Sequence, residues 1–247
     1  MNDFVKLIEG IKAAMEAFKK WAETIDWKSI HDGIEYISKQ LPKDVESVSI
    51  NLMNRGWFVW FFEGYMADFT EKTMSLVGKT SQEQDEYMES YIRENSNKFK
   101  ELLTLSYPDR SRQIEDAFKS HELGSYYSSI PSFLVLAEGV GRDIYPKIGI
   151  FSKHKPSSSK KGTPVTDDLF DSISGIDVME EAILKPLRVK SDVTKTINNP
   201  TPDEHRMFNR HLIMHGTSNN YGSERNSLKA ISLVYFVHES LSHLKNR

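Results

Sequence analysis

Apolar residues recur three and four positions apart along much of the chain, and no alternating pattern of useful length appears before residue 108. Such spacing is typical of amphipathic helices. At the N terminus it forms a heptad-like stripe, which more often packs on its own domain than on a second chain. The stripe contains Phe4, Ile8, Ile11, Met15, Phe18, Ala22 and Ile25. Together these patterns predict an all-α fold organised as a helical bundle.

Three further features extend the helical pattern towards the middle of the chain. The stretch RGWFVWFFEGYM, which begins at Arg55, is too apolar for an exposed face and is predicted to be core. Ser81 and Gln84 have the spacing of a capping box, which opens a charged helix that ends near Pro108. A second helical region follows, in which Gly139 and Gly141 either weaken the helix or allow another segment to approach closely. Its apolar face consists of Phe133, Ala137, Val140, Ile144 and Ile148.

The stretch from Lys153 to Pro164 is a loop by composition, since it contains serines, lysines and prolines but no apolar residue. Its basic residues either contact a phosphate backbone or face solvent on a mobile loop. A short helix is predicted from Asp167 to Leu187. We therefore expect an N-terminal helical region of unknown role at 1–105 and a second domain at 106–247, with a flexible loop at 153–166.

Composition narrows the class of protein. Hydrophobic residues make up 38% and charged residues 27%, the balance of a folded globular chain. The net charge of −3 provides no global positive field, so any contact with nucleic acid has to be local. The absence of cysteine excludes disulfides, thiolate metal sites and a cysteine nucleophile. The first residues lack the pattern of a signal peptide, and the run Trp57–Phe62 is too short to cross a bilayer, so we expect a cytoplasmic protein without membrane contact.

The last part of the sequence predicts a pair of helices. Thr201 and Glu204 flank a proline in the pattern of a capping box, and the helix that begins there is predicted to run to Gly216. A turn follows, and a final helix starts at Ser223 or Glu224. Because this helix is apolar almost all round, it is predicted to lie at the centre of the bundle, beside its predecessor. Its apolar residues are Leu228, Ile231, Val234, Tyr235, Phe236, Val237 and Leu241.

The helix before the turn carries the candidate chemistry. Arg210 is followed directly by His211 and, after three more residues, by His215 and Gly216. This stretch resembles the signature of HEPN ribonuclease domains, in which an arginine with a polar neighbour precedes a histidine by a few residues. The flanking sequence is similar to C-terminal HEPN modules as well. The matching positions are Phe208, Tyr221-Gly222, Asn226-Ser227-Leu228-Lys229-Ala230 and, upstream, the Glu138-Gly139 step.

The resemblance implies a four- or five-helix HEPN-like bundle and a metal-independent endoribonuclease, a hydrolase that binds RNA and uses no cofactor. In such enzymes the ribose 2′-hydroxyl attacks the adjacent phosphate and leaves a 2′,3′-cyclic phosphate. The resemblance further implies a homodimer, in which two arginine–histidine pairs face one cleft. Many such proteins are toxins of toxin–antitoxin systems or antiviral defence effectors, so a cognate antitoxin or inhibitor is an expected partner. The implied catalytic residues are Arg210, His215 and His211, and the implied substrate contacts are Asn209, Glu138 and Tyr221.

The residue types suit this chemistry independently of the resemblance. Histidine is the side chain whose ordinary pKa lies nearest neutrality, so it serves as an acid or a base. Arginine provides a permanently charged planar fork for phosphate oxygens. Within the motif, His211 is expected to orient Arg210 or to bind phosphate.

Other interpretations of the same residues stay open. Arg210 could form a surface ion pair with Asp203 or Glu204, and His215 could simply complement the helix C-terminus. Since His211 and His215 are four positions apart, they could also bind a metal ion with His205 or Glu204, which would make the protein a metal-dependent hydrolase. A HEPN-like scaffold that binds RNA or protein without cleavage is the remaining alternative. Glu138 could equally face water.

Overall fold

The structure, a computed structural model of the chain, describes residues 12, 14–20, 23–24, 26–60, 71–155 and 157–246. The chain forms two compact units, Met1–Pro42 and Lys43–Arg247. The sequence predicted a division after residue 105 instead. That position lies inside the second unit, because the long helix that ends at Ser106 packs against helices from the C-terminal half of the chain.

In the first unit, Asp26 caps helix α1 (Trp27–Glu35) by accepting a hydrogen bond from the Ser29 backbone N–H at 3.0 Å. The chain continues into a π-helical segment, Tyr36–Gln40. Most of the predicted N-terminal stripe, namely Phe4, Ile8, Ile11, Ala22 and Ile25, lies outside the described residues. Met15 and Phe18 are described, and both side chains are exposed.

Eight further α-helices have described bounds, and they lie in the second unit apart from the first two residues of α2. They are α2 (Leu41–Asn54), α3 (Ser81–Ser106), α4 (Ser111–Glu122), α5 (Tyr126–Ile144), α6 (Asp168–Ser172), α7 (Val178–Leu184), α8 (Arg210–Met214) and α9 (Glu224–Lys245). No β-strand occurs among the described residues, in which Lys153 and Pro164 form an isolated bridge. The predicted all-α class is therefore confirmed.

Helix α9 lies at the centre of the second unit. It packs most extensively on α5 and also on α3, while α4 packs on both α5 and α3. Aromatic pairs join these helices: the rings of Phe99 and Tyr235 stack 3.9 Å apart, and those of Phe118 and Phe133 meet edge to face at 5.0 Å. The predicted apolar surface of α9 is buried, which confirms its central position. The buried residues are Leu228, Ile231, Val234, Tyr235, Phe236, Val237 and Leu241.

Helix α5 presents its predicted apolar face to this core, except that Ile148 lies beyond the end of the helix. Gly141 explains how tightly the segments meet. A Cβ atom at this position would lie 2.5 Å from Ile150 and 3.7 Å from both Leu241 and Val237. The glycine therefore lets the chain after α5 and helix α9 approach the α5 backbone closely.

The dense apolar stretch after Arg55 is buried from Trp57 to Trp60, and its later residues lie outside the described part of the chain. The predicted cap of α3 was wrong by one position. Thr80 and Glu83 form the capping box, because the Glu83 carboxylate accepts the Thr80 backbone N–H at 2.7 Å. Gln84 instead points inward and donates to the Leu76 carbonyl.

The predicted helix from Asp167 to Leu187 is divided in two. Helix α6 ends at Ser172, and α7 begins only after Asp177, which forms a capping box with Glu180. Between them, Gly175 has a φ of +79°, a left-handed conformation that interrupts a helix. Each of the two helices therefore spans only part of the predicted range.

Candidate functional site

The segment that leads into α8 differs from the predicted continuous helix. The Thr201–Glu204 capping box is present, since the Glu204 carboxylate accepts the Thr201 backbone N–H at 2.7 Å. It opens only a single 3-10 turn, Glu204–Arg206, after which Met207 is extended. A new helix, α8, starts at Arg210. The prediction of one helix from Thr201 to Gly216 was therefore wrong.

Asn209 determines this second start. Its backbone is extended, and its side-chain oxygen accepts the Leu212 backbone N–H at 2.9 Å, as an N-cap residue does. The amide nitrogen donates to the carbonyl oxygens of Asp192 at 2.6 Å and Lys195 at 2.9 Å. Asn209 is fully buried, and these three bonds use both amide hydrogens and the oxygen. It was predicted to contact substrate; in the structure it positions α8 against the 192–195 segment.

Arg210 follows immediately and is anchored through its backbone. Its N–H donates to the Val193 carbonyl at 2.7 Å, and its guanidinium lies over the Phe151 ring with the central carbon 5.3 Å from the ring centroid. Such cation–π contacts orient a guanidinium without neutralising its charge. Arg210 forms no ion pair with a carboxylate in the described part of the chain, so the predicted alternative of a pair with Asp203 or Glu204 is not formed.

His211 and His215 lie one turn apart on α8. Their ring centroids are 4.6 Å apart and the ring planes are inclined at 57°. His215 is the exposed C-cap residue, and Gly216 next to it has a φ of +68°, which ends the helix as predicted. His211 was expected to orient Arg210 or to bind phosphate, whereas the observed contact of the His211 ring is with the ring of His215.

The pKa of His211 is lowered from its ordinary value. Burial is the largest cause, because it disfavours the charged imidazolium. The positive charges of His215, Arg210 and Lys153 act in the same direction. His211 is therefore predisposed to the neutral form at neutral pH, the form in which an imidazole accepts a proton.

Glu138, the predicted acidic substrate contact, lies on α5, where it is linked to Phe151. Its carboxylate forms an ion pair with Arg142 at 2.8 Å and accepts the Phe151 backbone N–H at 3.4 Å. Glu138 thus supports the residue over which Arg210 lies. Glu138 is therefore linked to Arg210 only indirectly, through Phe151.

Tyr221 lies at the opposite end of α5. Its hydroxyl donates to the Tyr127 carbonyl at 3.2 Å, and the two rings meet at 5.1 Å. Burial raises the pKa of Tyr221. Since Tyr127 precedes Glu138 by eleven residues on one helix, their positions differ by roughly 16 Å along the axis. The structure therefore does not bring Tyr221 and Glu138 together.

The Asn226–Ala230 stretch forms the first turns of α9. Asn226 donates to the carbonyls of Arg206 at 3.0 Å and Tyr221 at 2.9 Å, which fixes the chain on both sides of α8. Ser227 is buried within hydrogen-bonding distance of both His121 and Ser129, each at 2.8 Å. These polar residues hold the surroundings of the site rather than the site itself.

Sequence reasoning missed two residues, Phe151, which contacts Arg210 of α8, and Lys190, whose charge acts on Lys153. Phe151 does not belong to any sequence motif, and its role can be inferred only from its contact with Arg210. Lys153 was noted among the basic residues of the loop, and the structure places it close enough to affect His211. The basic residues of the loop could have indicated a positively charged site. However, His211, on which Lys153 acts, is distant from the loop in sequence.

Within the described ranges, no three His, Asp or Glu side chains gather in an arrangement that could hold a metal ion. In the same ranges, no helix combines the length and apolar character needed to cross a membrane. Comparison with protein-family models, curated proteins and solved structures found no match to the chain. The fold and site thus define an all-α protein with a histidine- and arginine-bearing helix.

Proposed function

We propose that the protein is a metal-independent endoribonuclease of the HEPN type. One observation carries the proposal: the short helix α8 presents Arg210 together with two imidazoles whose rings lie 4.6 Å apart. Cleavage of RNA by its own 2′-hydroxyl requires a base, an acid and a cation at the phosphate. The three side chains of α8 supply these groups.

In the proposed reaction the 2′-oxygen attacks the adjacent phosphorus, and the bond from phosphorus to the 5′-oxygen of the next nucleotide breaks. The base removes the proton of the 2′-hydroxyl, and the acid gives a proton to the departing 5′-oxygen. The products are a 2′,3′-cyclic phosphate and a 5′-hydroxyl. Arginine stabilises the negative charge on the phosphate oxygens during attack.

We propose that the two histidines have different roles. His211 is the base, since burial and neighbouring positive charges lower its pKa and favour its neutral form. His215 is exposed at the end of the helix and donates the proton to the leaving group. Arg210 forms no ion pair with a described carboxylate, so its charge is available to the phosphate.

Total RNA incubated with the full chain in excess chelator tests the proposal. We expect cleavage, with products that end in 2′,3′-cyclic phosphate and 5′-hydroxyl groups. Products with 3′-hydroxyl ends that disappear in chelator would contradict it and support the metal-dependent alternative. RNA that is bound but left intact would contradict it in favour of a binding scaffold.

We also propose that the active form is a two-fold homodimer with α8 of each copy at or near the interface. One chain supplies one arginine, whereas a second copy adds another cation to the same phosphate. Sedimentation at micromolar concentration is expected to give a dimer. A strictly monomeric particle that still cleaves RNA would contradict this assembly.

A further inference from the structure

Three segments that are distant in sequence meet beside α8. Lys153 forms a bridge with Pro164, and the N–H of His154 donates to the Thr163 carbonyl at 2.9 Å, so residues 153–164 fold back on themselves. The Lys153 ammonium donates to the Thr194 carbonyl. Residues 192–195 in turn accept hydrogen bonds from Asn209 and from the Arg210 backbone. The loop, the 190–195 segment and α8 therefore form one connected surface.

Each of these segments contributes a positive side chain. Lys190 extends across the folded loop, with its nitrogen 3.4 Å from the position that a Cβ of Gly162 would occupy. The pKa of Lys153 is lowered by burial and by the positive charge of Lys190. Lys153 also contributes to the lowered pKa of His211. We call Lys153, Lys190, Arg210, His211 and His215 the basic cluster.

Several carboxylates close to these segments are already engaged by basic residues other than Lys153, Lys190 and Arg210. Asp167, Asp168 and Asp171 all contact Lys160 of the folded loop, Asp168 also contacts His154, and Asp167 also pairs with Arg188. Glu138 pairs with Arg142. Asp192 lies in the segment itself, where its backbone carbonyl accepts from Asn209, and its carboxylate forms no ion pair with a described residue.

Lys153, Lys190 and Arg210 thus concentrate positive charge in a chain whose net charge is −3. Like charges held close together repel one another, and a bound anion removes that repulsion. Lysine ammonium groups and an arginine fork at fixed spacing are the donors that proteins use for successive phosphates of a nucleic-acid backbone. The arrangement is therefore suited to a polyanion longer than a single phosphate.

On the basis of the proposed function, we propose that Lys153 and Lys190 bind the RNA phosphate next to the scissile one. In this arrangement, Arg210 contacts the scissile phosphate and the two lysines hold the neighbouring phosphodiester. The lysines thus position the strand and do not take part in proton transfer. Binding at this subsite is expected to be independent of base sequence, because phosphate contacts carry no sequence information.

The experiment measures binding of the full chain to a short single-stranded RNA with 2′-O-methyl riboses, which lacks the attacking hydroxyl. The salt dependence of affinity reports the number of phosphate contacts. Removing one of them is expected to reduce the slope of log K against log salt by about 0.7 for a single strand. We expect that reduction for Lys190→Gln, and about twice that reduction for the double variant with Lys153→Gln.

Two variants serve as controls. Lys190→Arg retains the charge and should preserve the wild-type slope, whereas Lys119→Gln on the exposed surface of α4 should leave it unchanged. An unchanged slope in Lys190→Gln and in the double variant would overturn the subsite. So would a loss of affinity in Lys119→Gln equal to that in Lys190→Gln, because it would indicate nonspecific attraction.

Cleavage of unmodified RNA separates this proposal from the proposed function. If the wild type cleaves RNA and the lysine variants bind with the wild-type slope, the subsite fails while the ribonuclease stands. If the wild type does not cleave but Lys190→Gln lowers the slope, the ribonuclease fails while Lys190 stands as a contact to an RNA phosphate. In an active enzyme, Lys190→Gln should raise KM and leave kcat unchanged, as expected for a positioning residue.

Discussion

Helices α8 and α9 are neighbours in sequence but have opposite compositions and environments. Helix α8 has five residues, and its Arg210 and His211 side chains are half-buried. Helix α9 has 22 residues, and even polar members of its first turns are buried. Lys229, for example, lies over the Trp57 ring, and burial lowers its pKa to about 8.

The two helices are held in place by different interactions. Side-chain packing on α5 and α3 fixes α9, whereas α8 buries only Leu212 and Ile213 and is anchored in addition by backbone hydrogen bonds and the Asn209 cap. A short helix held in this way can keep polar side chains at the surface, half-buried in the case of Arg210 and His211 and exposed in the case of His215. Substitutions in α8 should therefore change activity at nearly constant stability, and substitutions in α9 should change stability first.

The largest expected effect is the loss of activity on replacing His215 with alanine. Removal of a general acid should lower the rate of RNA cleavage by roughly 10²–10⁴-fold. Because His215 is exposed, the melting temperature should stay near that of the wild type. Initial rates on unmodified RNA, together with thermal unfolding, measure both quantities.

His31→Ala is the matched control, since it removes an exposed histidine from α1 in the other compact unit. It should preserve both rate and melting temperature. Cleavage at the wild-type rate by His215→Ala would contradict the role of this residue as the acid. A large loss of stability in His215→Ala would instead contradict the expectation that substitutions in α8 change activity while those in α9 change stability.

The next effect is on stability, in α9. Phe236 is 1% exposed and lies 5.7 Å from the Phe58 ring, centroid to centroid. Phe236→Ala should lower the free energy of unfolding by roughly 3–5 kcal/mol, since it leaves a cavity in the core. Chemical denaturation measures this change. A loss near zero would show that α9 is not the centre of the packing.

The contrast between the helices also explains which features the sequence predicts. The near-continuous apolar character of α9 can be recognised locally, and so can its Ser223 cap and the Gly216 helix end. The break before α8 could not be predicted in this way. Asn209 caps α8 through a local bond to the Leu212 N–H, but the partners that anchor it there are the backbone carbonyls of Asp192 and Lys195, which reach it only through the tertiary fold.

Two other differences have similar causes. The TSQEQ sequence contains two overlapping capping boxes, and the structure uses Thr80 with Glu83 because Gln84 is engaged by Arg55 and the Leu76 carbonyl. The candidate motif placed Arg210, His211 and His215 together from spacing alone, because they share one helix. Phe151 joins them through its contact with Arg210, and Lys190 acts on Lys153 from another segment, for which a single sequence provides no local signal.

A smaller effect on stability is expected at Asn209. Asn209→Ala removes the cap of α8 and leaves the carbonyls of Asp192 and Lys195 without their buried donor, which should cost about 1–3 kcal/mol of unfolding free energy. Asn209→Asp keeps an acceptor for the cap but loses the two donors, so it should not restore stability. A raised KM with unchanged stability would contradict this and support the predicted contact with substrate.

The smallest effect concerns the pKa of His211 and tests whether α8 and the folded loop act as one electrostatic unit. The pKa is lowered by burial and then by the charges of His215, Arg210 and Lys153. Because the base acts only when neutral, the acidic limb of kcat/KM should lie below pH 6.5, the ordinary value. Lys153→Met removes one of these charges but keeps an apolar stem, so the pKa of His211 should rise towards 6.5.

Titration of the His211 ring by NMR measures that pKa directly in the free protein, without depending on activity. In Lys153→Met the acidic limb of kcat/KM should move to higher pH together with the titration midpoint, whereas Lys119→Met should move neither. Lys153→Met should also make the free energy of unfolding less dependent on pH. A lowered pKa means that the unfolded state binds more protons just below pH 6.5, so the wild type loses stability there as pH falls. An unchanged His211 midpoint in Lys153→Met would show that the loop and α8 are electrostatically independent, and the basic cluster would then not be a single site.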